Sequence, residues 1–224
     1  QDGYMYTDNG FWDTFRAVHP LFTLLYPEVS ERVTQSILNA YDESGFMPEW
    51  ASPGHRECMI GNNSISLLTD AWMKGIRTIC PEKALEAMIH QTEARHPGIS
   101  SVGRDGFGYY DRLGYVPYPE VHEATAKTLE YAYADWCVAR FADSIGRKEI
   151  ADTYYRKALN YRNLYYPDYG FMWAKDANGK WRDAFDSTEW GGPFTEGSSW
   201  HWTWSVLHDP EGLSRLMGGH TAME

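Results

Sequence analysis

The sequence has 224 residues, 43 % of them hydrophobic, and a net charge of −11 at pH 7. A chain of this length can bury one substantial core, and we expect a single domain over residues 1–224. The acidic charge argues against a nucleic-acid partner, because clustered cations hold such partners. No apolar run reaches the roughly 20 residues of a membrane span, and the first residues, Gln1 to Tyr4, do not resemble a signal segment.

Two features of the composition bear on function. The three cysteines, Cys58, Cys80 and Cys137, are widely spaced and odd in number, which predicts neither a disulfide framework nor a metal knuckle. We expect them to be core thiols, and they leave the compartment undecided. The chain also has ten Trp, sixteen Tyr and nine Phe. Most of these rings are expected in the core, and sugar binding becomes attractive where rings and carboxylates cluster.

Apolar residues recur at spacings of three and four through most of the chain, which predicts helices. The first runs from Phe11 to about Tyr26, with Pro20 as a kink or break. The second runs from Pro27 to Asp42, with proline in its first turn. Further helices are predicted at Asn63 to Lys74, Pro81 to Arg95, Val121 to Ile145, Lys148 to about Asn163, Glu196 to Leu207 and Pro210 to Met217.

Other segments interrupt this helical pattern. His96 to Pro119 is rich in Gly and Tyr and is expected to be a long loop that shapes the rim of a site. Phe171 to Asp183 is predicted to be a β-hairpin that turns at Asn178-Gly179. The last residues, Gly218 to Glu224, could begin another helix.

About eight helices in sequential hairpins, with one small strand pair, predict an all-α fold. The simplest architecture is a toroid of helical hairpins. A closed barrel of six hairpins would need twelve helices, so we expect an incomplete (α/α)6 toroid with a small β-hairpin insertion. The absence of a fixed repeat period makes a solenoid less favoured.

The first chemically informative cluster contains Trp12, Asp13 and Arg16. Asp13 and Arg16 are spaced to meet on one helix face beside Trp12. Such a group can orient vicinal hydroxyls, since a carboxylate accepts, a guanidinium donates and an indole supports the sugar ring. The alternative is a surface ion pair of little energetic value. The spacing alone does not choose between them.

A second cluster lies in the middle of the longest predicted helix, where Glu130 and Asp135 stand among aromatic and apolar residues. Burial there could raise the pKa of a carboxyl group. The alternative, which we favour slightly, is that both carboxyl groups pair with buried polar groups and hold helices together.

The third cluster begins at Glu196 and continues through the aromatic run Trp200 to Trp204, with Glu189-Trp190 before it. An aromatic, water-poor pocket can keep a carboxyl group protonated near neutral pH, as a general acid requires. A helix N-terminus has the opposite effect, because it favours the carboxylate. The alternative is a glutamate that caps the helix.

Together these three clusters, in this order, resemble glycoside hydrolase family 92, the calcium-dependent exo-acting α-mannosidases. The resemblance extends over essentially the whole chain, through the segments Tyr6 to Leu25, Cys58 to Gly75, Leu113 to Trp136, Asn160 to Leu164 and Thr195 to Asp209, with Gly212-Leu213 and Gly218-Gly219.

The resemblance implies a β-sandwich ahead of an (α/α)6 barrel, and removal of mannose with inversion, helped by a calcium ion that distorts the sugar. It places Glu196 at the family's general acid and Asp13 at its mannose-binding aspartate. Trp12 and Arg16 share the latter segment and are therefore expected to bind substrate. The implied partners are a mannose-containing glycan and the remainder of a longer parent protein. The implied location is the bacterial periplasm or the exterior of the cell.

The chain departs from the family at several positions. The family commonly reads Glu-Gly-Asn-Ala-Trp-Gln-Tyr-Thr-Trp where this chain has changes at Ser198, Ser199, His201 and Trp202. It also commonly reads Asp-Asp-Trp where this chain has Ala134, Asp135 and Trp136. These changes affect linkage more than reaction type, so α-1,2-linked mannose is one option among α-mannosides. A non-catalytic glycan-binding protein and an (α/α)6 hydrolase for another sugar are the alternatives.

The family's calcium ligands and aspartate bases lie in motifs that would follow Glu224. We therefore expect no metal site within this chain and expect the calcium ligands outside it. The β-sandwich is absent as well. For these reasons the 224-residue segment is expected to be inactive alone.

Overall fold

A computed structural model of the chain describes Gly3 and residues 5–223. Gln1, Asp2, Tyr4 and Glu224 lie outside the described residues. The expectation about a signal segment at Gln1 to Tyr4 therefore concerns residues that are mostly not described. The described residues form, in chain order, β1 (Asn9–Gly10), α1 (Phe11–Thr14), α2 (Val18–Leu25), α3 (Pro27–Ser44), β2 (Trp50–Ala51), α4 (Asn63–Met73), α5 (Pro81–Glu93), α6 (Phe107–Leu113), α7 (Ala124–Ser144), α8 (Lys148–Lys157), a 3-10 helix (Ala158–Leu164), β3 (Tyr165–Tyr166), β4 (Phe171–Met172), α9 (Ser199–Trp202), α10 (Pro210–Met217) and α11 (His220–Met223).

The fold is therefore mainly helical with two small antiparallel sheets. The chain divides into two compact units. The first comprises Gln1–Asp105 and Cys137–Tyr155, and the second comprises Gly106–Trp136 and Arg156–Glu224. No described helix combines the length and apolar character needed to cross a membrane.

Helix α4 is the centre of the first unit. Small and apolar side chains cover nearly all of its faces, so it is buried on every side, with Ile65 and Leu68 fully enclosed. Helix α3 packs against α2, α4 and α5. Strand β1 pairs with β2 through Asn9 opposite Ala51. This pairing leads the chain directly into α1.

The second unit is organised around the first half of α7. Tyr110, Val116, Val121, Ala124 and Tyr131 form a buried apolar cluster. The sheet of this unit, with β3 beside β4, packs against α9.

Helix ends agree well with the sequence where proline or glycine marks them. Pro210–Met217 has the predicted bounds, and α3 ends at Gly45, whose φ is 80°. The break in the first predicted helix was misplaced, because the chain leaves the helix at Phe15 and resumes at Val18. Pro20 is the third residue of α2, where a backbone N–H has no partner within the helix and proline costs little.

Three local predictions were wrong at least in part. Phe171–Met172 pairs with Tyr165–Tyr166 upstream, although Lys175 does bridge to Trp181 across the predicted turn. The helix predicted from Glu196 to Leu207 is reduced to α9. The predicted loop His96 to Pro119 contains α6, whose flanking residues Gly106 and Gly114 are both left-handed and mark its ends.

The cysteine expectation holds for one residue of three. Cys137 is buried, whereas Cys58 is half-buried and Cys80 is exposed. Many of the rings are core residues as expected, including fully buried Trp173 and Tyr161. Trp190, Trp200 and Trp204 remain exposed.

The cap of α10 supports a first prediction. Asp209 accepts hydrogen bonds from the Gly212 N–H at 2.9 Å, the Tyr161 hydroxyl at 2.7 Å and Arg162 at 2.9 Å. Asp209→Ala in the full-length protein should lower the unfolding free energy by about 2 kcal/mol, since it removes a helix cap and leaves buried donors unpaired. Calorimetric unfolding of Glu211→Ala is the matched control, because the Glu211–Arg215 pair is exposed. That variant should change stability by less than about 0.5 kcal/mol, and equal losses would contradict the capping role.

Candidate active site

The segment with Trp12, Asp13 and Arg16 lies in the first unit, on and just after α1. The Arg16 guanidinium lies over the rings of Trp12, at 5.1 Å, and Phe15, at 4.6 Å. The Trp12 Nε1 is buried and has no hydrogen-bond partner among the described residues. Asp13 and Arg16 are both exposed. The segment thus presents an acceptor, a donor and an indole close together in the chain.

Backbone pairing with the segment around Trp50 fixes the entry to α1. The Phe11 N–H donates to the carbonyl of Glu49 at 3.0 Å, and Gly10 lies opposite Trp50 in the sheet. A Cβ on Gly10 would lie 2.8 Å from the Trp50 ring, so only glycine fits there. Thr14 adds a hydrogen bond to the Asn9 side chain at 2.9 Å.

Glu49 anchors this strand pair in the core of the first unit. Its carboxyl oxygens accept from the N–H groups of Asn63, at 2.7 Å, and Ser64, at 3.1 Å, which are the first residues of α4. The Ser64 hydroxyl, at 2.8 Å, and the Gln91 amide, at 3.1 Å, complete the set. Burial raises the pKa of Glu49 to about 8, while these hydrogen bonds act in the opposite direction. One side chain therefore caps α4 and joins it to α5.

Glu196 lies in the second unit, two residues before the cap of α9. Its side chain is exposed, and its backbone is left-handed, with φ of 46°. The residues on both sides, Thr195 and Gly197, are buried. A non-glycine residue in this conformation is strained by about 1–2 kcal/mol, and such strain is found where a side chain must be held in one place.

The capping interpretation of Glu196 was wrong, because Ser198 and His201 cap α9. They form a capping box, in which the His201 Nδ1 accepts from the Ser198 N–H at 3.1 Å. The water-poor pocket expected around Glu196 is also not supplied by the described residues, since the carboxyl group is exposed. Buried Trp202 supports the loop instead, by donating from Nε1 to the Thr195 carbonyl at 2.8 Å.

The second cluster fits the structural alternative. Asp135 is fully buried and accepts from the Tyr110 hydroxyl at 2.8 Å, and Glu130 is buried on the same helix. His208, whose pKa burial lowers, lies near the rings of Tyr133 and Trp136. These contacts join α7 to the segment before α10.

Among the described residues, no group of three or more His, Cys, Asp or Glu side chains is arranged to hold a metal ion. A hard cation requires about six to eight oxygen ligands. The exposed carboxyl groups of Asp13 and Glu196 lie in different units.

The structure brings Trp12, Asp13 and Arg16 together in one unit and places Glu196 in the other. Sequence reasoning missed Glu49, because a lone glutamate in an irregular segment has no periodicity or motif to mark it. It also overlooked the role of His201 as a capping partner. The spacing of Ser198 and His201, three residues apart, is the signal that could have revealed the cap.

His19 provides a pH-dependent test of the packing beside the first cluster. Its ring packs edge-on against Phe11 and Phe22, at 5.7 Å from each, and burial lowers its pKa from 6.5 to about 4. Below pH 6.5 the His19 ring is therefore protonated in the unfolded chain, whereas in the folded chain it becomes protonated only near pH 4. The contribution of the neutral, buried His19 ring to the free energy of unfolding is complete above pH 6.5. It decreases as the pH falls toward 4, and about 2 kcal/mol of it is lost at pH 5.

Thermal unfolding of the full-length protein at pH 8 and pH 5 measures this effect. Other groups titrate over the same range, among them Glu49, whose raised pKa makes the protein less stable as the pH rises. The informative quantity is therefore the free energy of unfolding at pH 8 minus that at pH 5, compared with the unmodified protein. His19→Leu should lower this difference by about 2 kcal/mol. His122→Leu should leave it unchanged, because that side chain is 75 % exposed. A difference in His19→Leu equal to that of the unmodified protein would show that His19 does not contribute.

Comparison with known proteins bears on the identity of these clusters. The chain is similar to the structure of a family GH92 inverting mannosidase from Bacteroides thetaiotaomicron, with 83 % identity and a TM-score of 0.99 over 100 % of this chain and 30 % of that one. It is also similar to the structure of a family GH92 α-mannosidase from the same organism, with 32 % identity and a TM-score of 0.89 over 96 % of this chain and 29 % of that one.

A secreted, uncharacterized glycosidase of Arthroderma benhamiae is 26 % identical in an alignment of 218 residues that covers 83 % of this chain and 28 % of that protein. The chain thus spans less than a third of the length of each of these relatives. The family model described as the glycosyl hydrolase family 92 catalytic domain matches residues 1–224. The chain therefore belongs to glycosyl hydrolase family 92.

Proposed function

We propose that the full-length protein is an inverting exo-α-mannosidase and that this chain carries its general acid and part of its mannose site. The observation that carries the proposal is the 83 % identity to an inverting mannosidase over the whole of this chain. Because the chain spans only 30 % of that protein, the activity is proposed for the complete polypeptide.

Glu196 is proposed as the general acid that protonates the leaving glycosidic oxygen. Its exposed carboxyl group stands on a strained backbone between two buried residues, Thr195 and Gly197. Such an arrangement fixes the backbone from which the carboxyl group projects toward the substrate. The desolvation that would keep it protonated is expected from substrate and from residues beyond this chain.

Trp12, Asp13 and Arg16 are proposed to bind the mannose that is removed. Asp13 can accept from sugar hydroxyls and Arg16 can donate to them. The half-buried Trp12 indole can support the C–H face of a sugar ring through the part that remains accessible. The rings beneath Arg16 restrict its guanidinium, so less conformational freedom is lost on binding.

Inversion requires a second carboxylate, separated from the acid by roughly 6.5–9.5 Å so that a water molecule fits beside the anomeric carbon. Asp135 is fully buried and hydrogen-bonded to Tyr110, which excludes water from it. Asp13 is already assigned to mannose. We therefore propose that the base lies outside this chain and that residues there hold the calcium ion, whose chemistry in the family is to help distort the sugar.

Three further features of the whole protein are proposed. The helices belong to one (α/α)6 domain, of which this chain is an incomplete part. A β-sandwich precedes that domain. The protein is exported, to the periplasm or beyond the cell, which agrees with the secreted glycosidase among its relatives.

Replacement of Glu196 tests the central assignment. In the full-length protein, Glu196→Gln should preserve mannoside binding and lower kcat by about 10²–10⁴-fold on an α-linked mannobiose. Aryl α-mannosides with good leaving groups should lose less, because their departure needs little protonation. Steady-state kinetics on both substrates measures the difference. An unchanged rate on mannobiose would remove Glu196 from the mechanism.

Glu196→Gly separates strain from chemistry. It should lose the same activity yet raise the unfolding free energy by up to about 1 kcal/mol, since glycine adopts positive φ freely.

The activity of the unmodified full-length protein tests the two alternative functions. If it binds mannosides without cleaving them, it is a glycan-binding protein. If it prefers glucosides, it acts on another sugar.

A further inference from the structure

Trp190 is exposed beside a buried loop, six residues before Glu196. Its side chain exposes 66 % of its surface, whereas Pro193, Phe194 and Thr195 are buried. An indole so exposed on a loop that is itself well packed is suited to contact with a ligand.

Hydrogen bonds on both sides hold the backbone of Trp190 in place. Arg182 donates two hydrogen bonds to the preceding carboxylate, Glu189, at 2.7 and 2.9 Å. The Gly192 carbonyl accepts from the Glu123 N–H at 3.2 Å, just before α7. The ring therefore projects from a fixed support, and less conformational entropy is lost when a ligand binds to it.

The same loop is joined to the segment of Glu196. The Gly191 N–H donates to the Gly197 carbonyl at 2.8 Å, which connects the residue after Trp190 to the residue after Glu196. The Trp190 ring lies edge-on to His201, with ring centroids 5.4 Å apart and planes at 81°. His201 is fixed in turn by its capping-box bond to Ser198.

We infer that Trp190, supported by His201, is the stacking platform for the sugar on the leaving-group side of the scissile bond. This inference rests on the proposed role of Glu196. A general acid protonates the oxygen that leaves, so the departing sugar lies on the acid's side of the bond. An indole face buries the C–H face of a pyranose while its hydroxyls remain hydrated.

Two substrates separate this role from catalysis in the full-length protein. An α-linked mannobiose has a sugar as its leaving group, whereas α-mannosyl fluoride has only a fluoride ion. Trp190→Ala should lower kcat/KM at least about 10-fold on mannobiose and change it less than about 2-fold on the fluoride. Trp190→Phe should recover much of the loss. Tyr169→Ala, which removes another exposed ring of the same unit, should change neither value.

Calorimetric binding in the Glu196→Gln background judges the inference independently of turnover. A thio-linked mannobiose should bind more tightly than methyl α-mannoside, and Trp190→Ala should abolish that advantage. An advantage that persists in Trp190→Ala would overturn the inference, as would equal kinetic losses on both substrates. If the unmodified full-length protein hydrolyses neither substrate, although thio-linked mannobiose still binds more tightly than methyl α-mannoside, the proposed hydrolase function is refuted instead.

Discussion

A single buried carboxyl group, that of Glu49, organises the first unit. Its two oxygens receive the first N–H groups of α4 together with side chains of α4 and α5, while its own carbonyl pairs with Phe11 at the start of α1. Removal of this side chain would leave several buried donors without an acceptor, which is more costly than the loss of any one hydrogen bond. The segment of Trp12, Asp13 and Arg16 thus depends on a residue deep in the core.

In the second unit, too, buried groups hold an exposed segment in place, but they are an indole and a backbone hydrogen bond and not a carboxyl group. Buried Trp202 and the Gly191–Gly197 hydrogen bond hold the loop, so that Glu196 can remain in a strained conformation with its carboxyl group exposed. Packing elsewhere in the unit offsets this strain. A rigid support beneath an exposed polar group is how a fold preorganises a reactive side chain at some cost in stability. Asp13, Arg16 and Glu196 are thus exposed side chains in well-packed surroundings.

The sequence predicted helices well where local rules decide the structure. Pro27, Pro81 and Pro210 begin helices as expected, because proline suits the first turn whatever surrounds it. It failed where tertiary contacts decide. The long helix expected from Glu196 to Leu207 is confined to α9. Glu196 has a left-handed backbone and cannot begin that helix, a feature that no spacing rule reveals. Glu49 escaped notice because its partners are distant in the chain, and the exposure of Glu196 could not be read from its aromatic neighbours.

The stereochemistry of mannose release separates inversion from retention. We propose one acid, Glu196, on this chain, and inversion requires a water molecule, rather than a protein nucleophile, to attack the sugar from the opposite face. Proton NMR of an α-mannoside incubated with the full-length protein resolves the first sugar released, before mutarotation. We expect β-mannose as that first product. Initial release of α-mannose would indicate a covalent glycosyl intermediate and would contradict the proposed inversion.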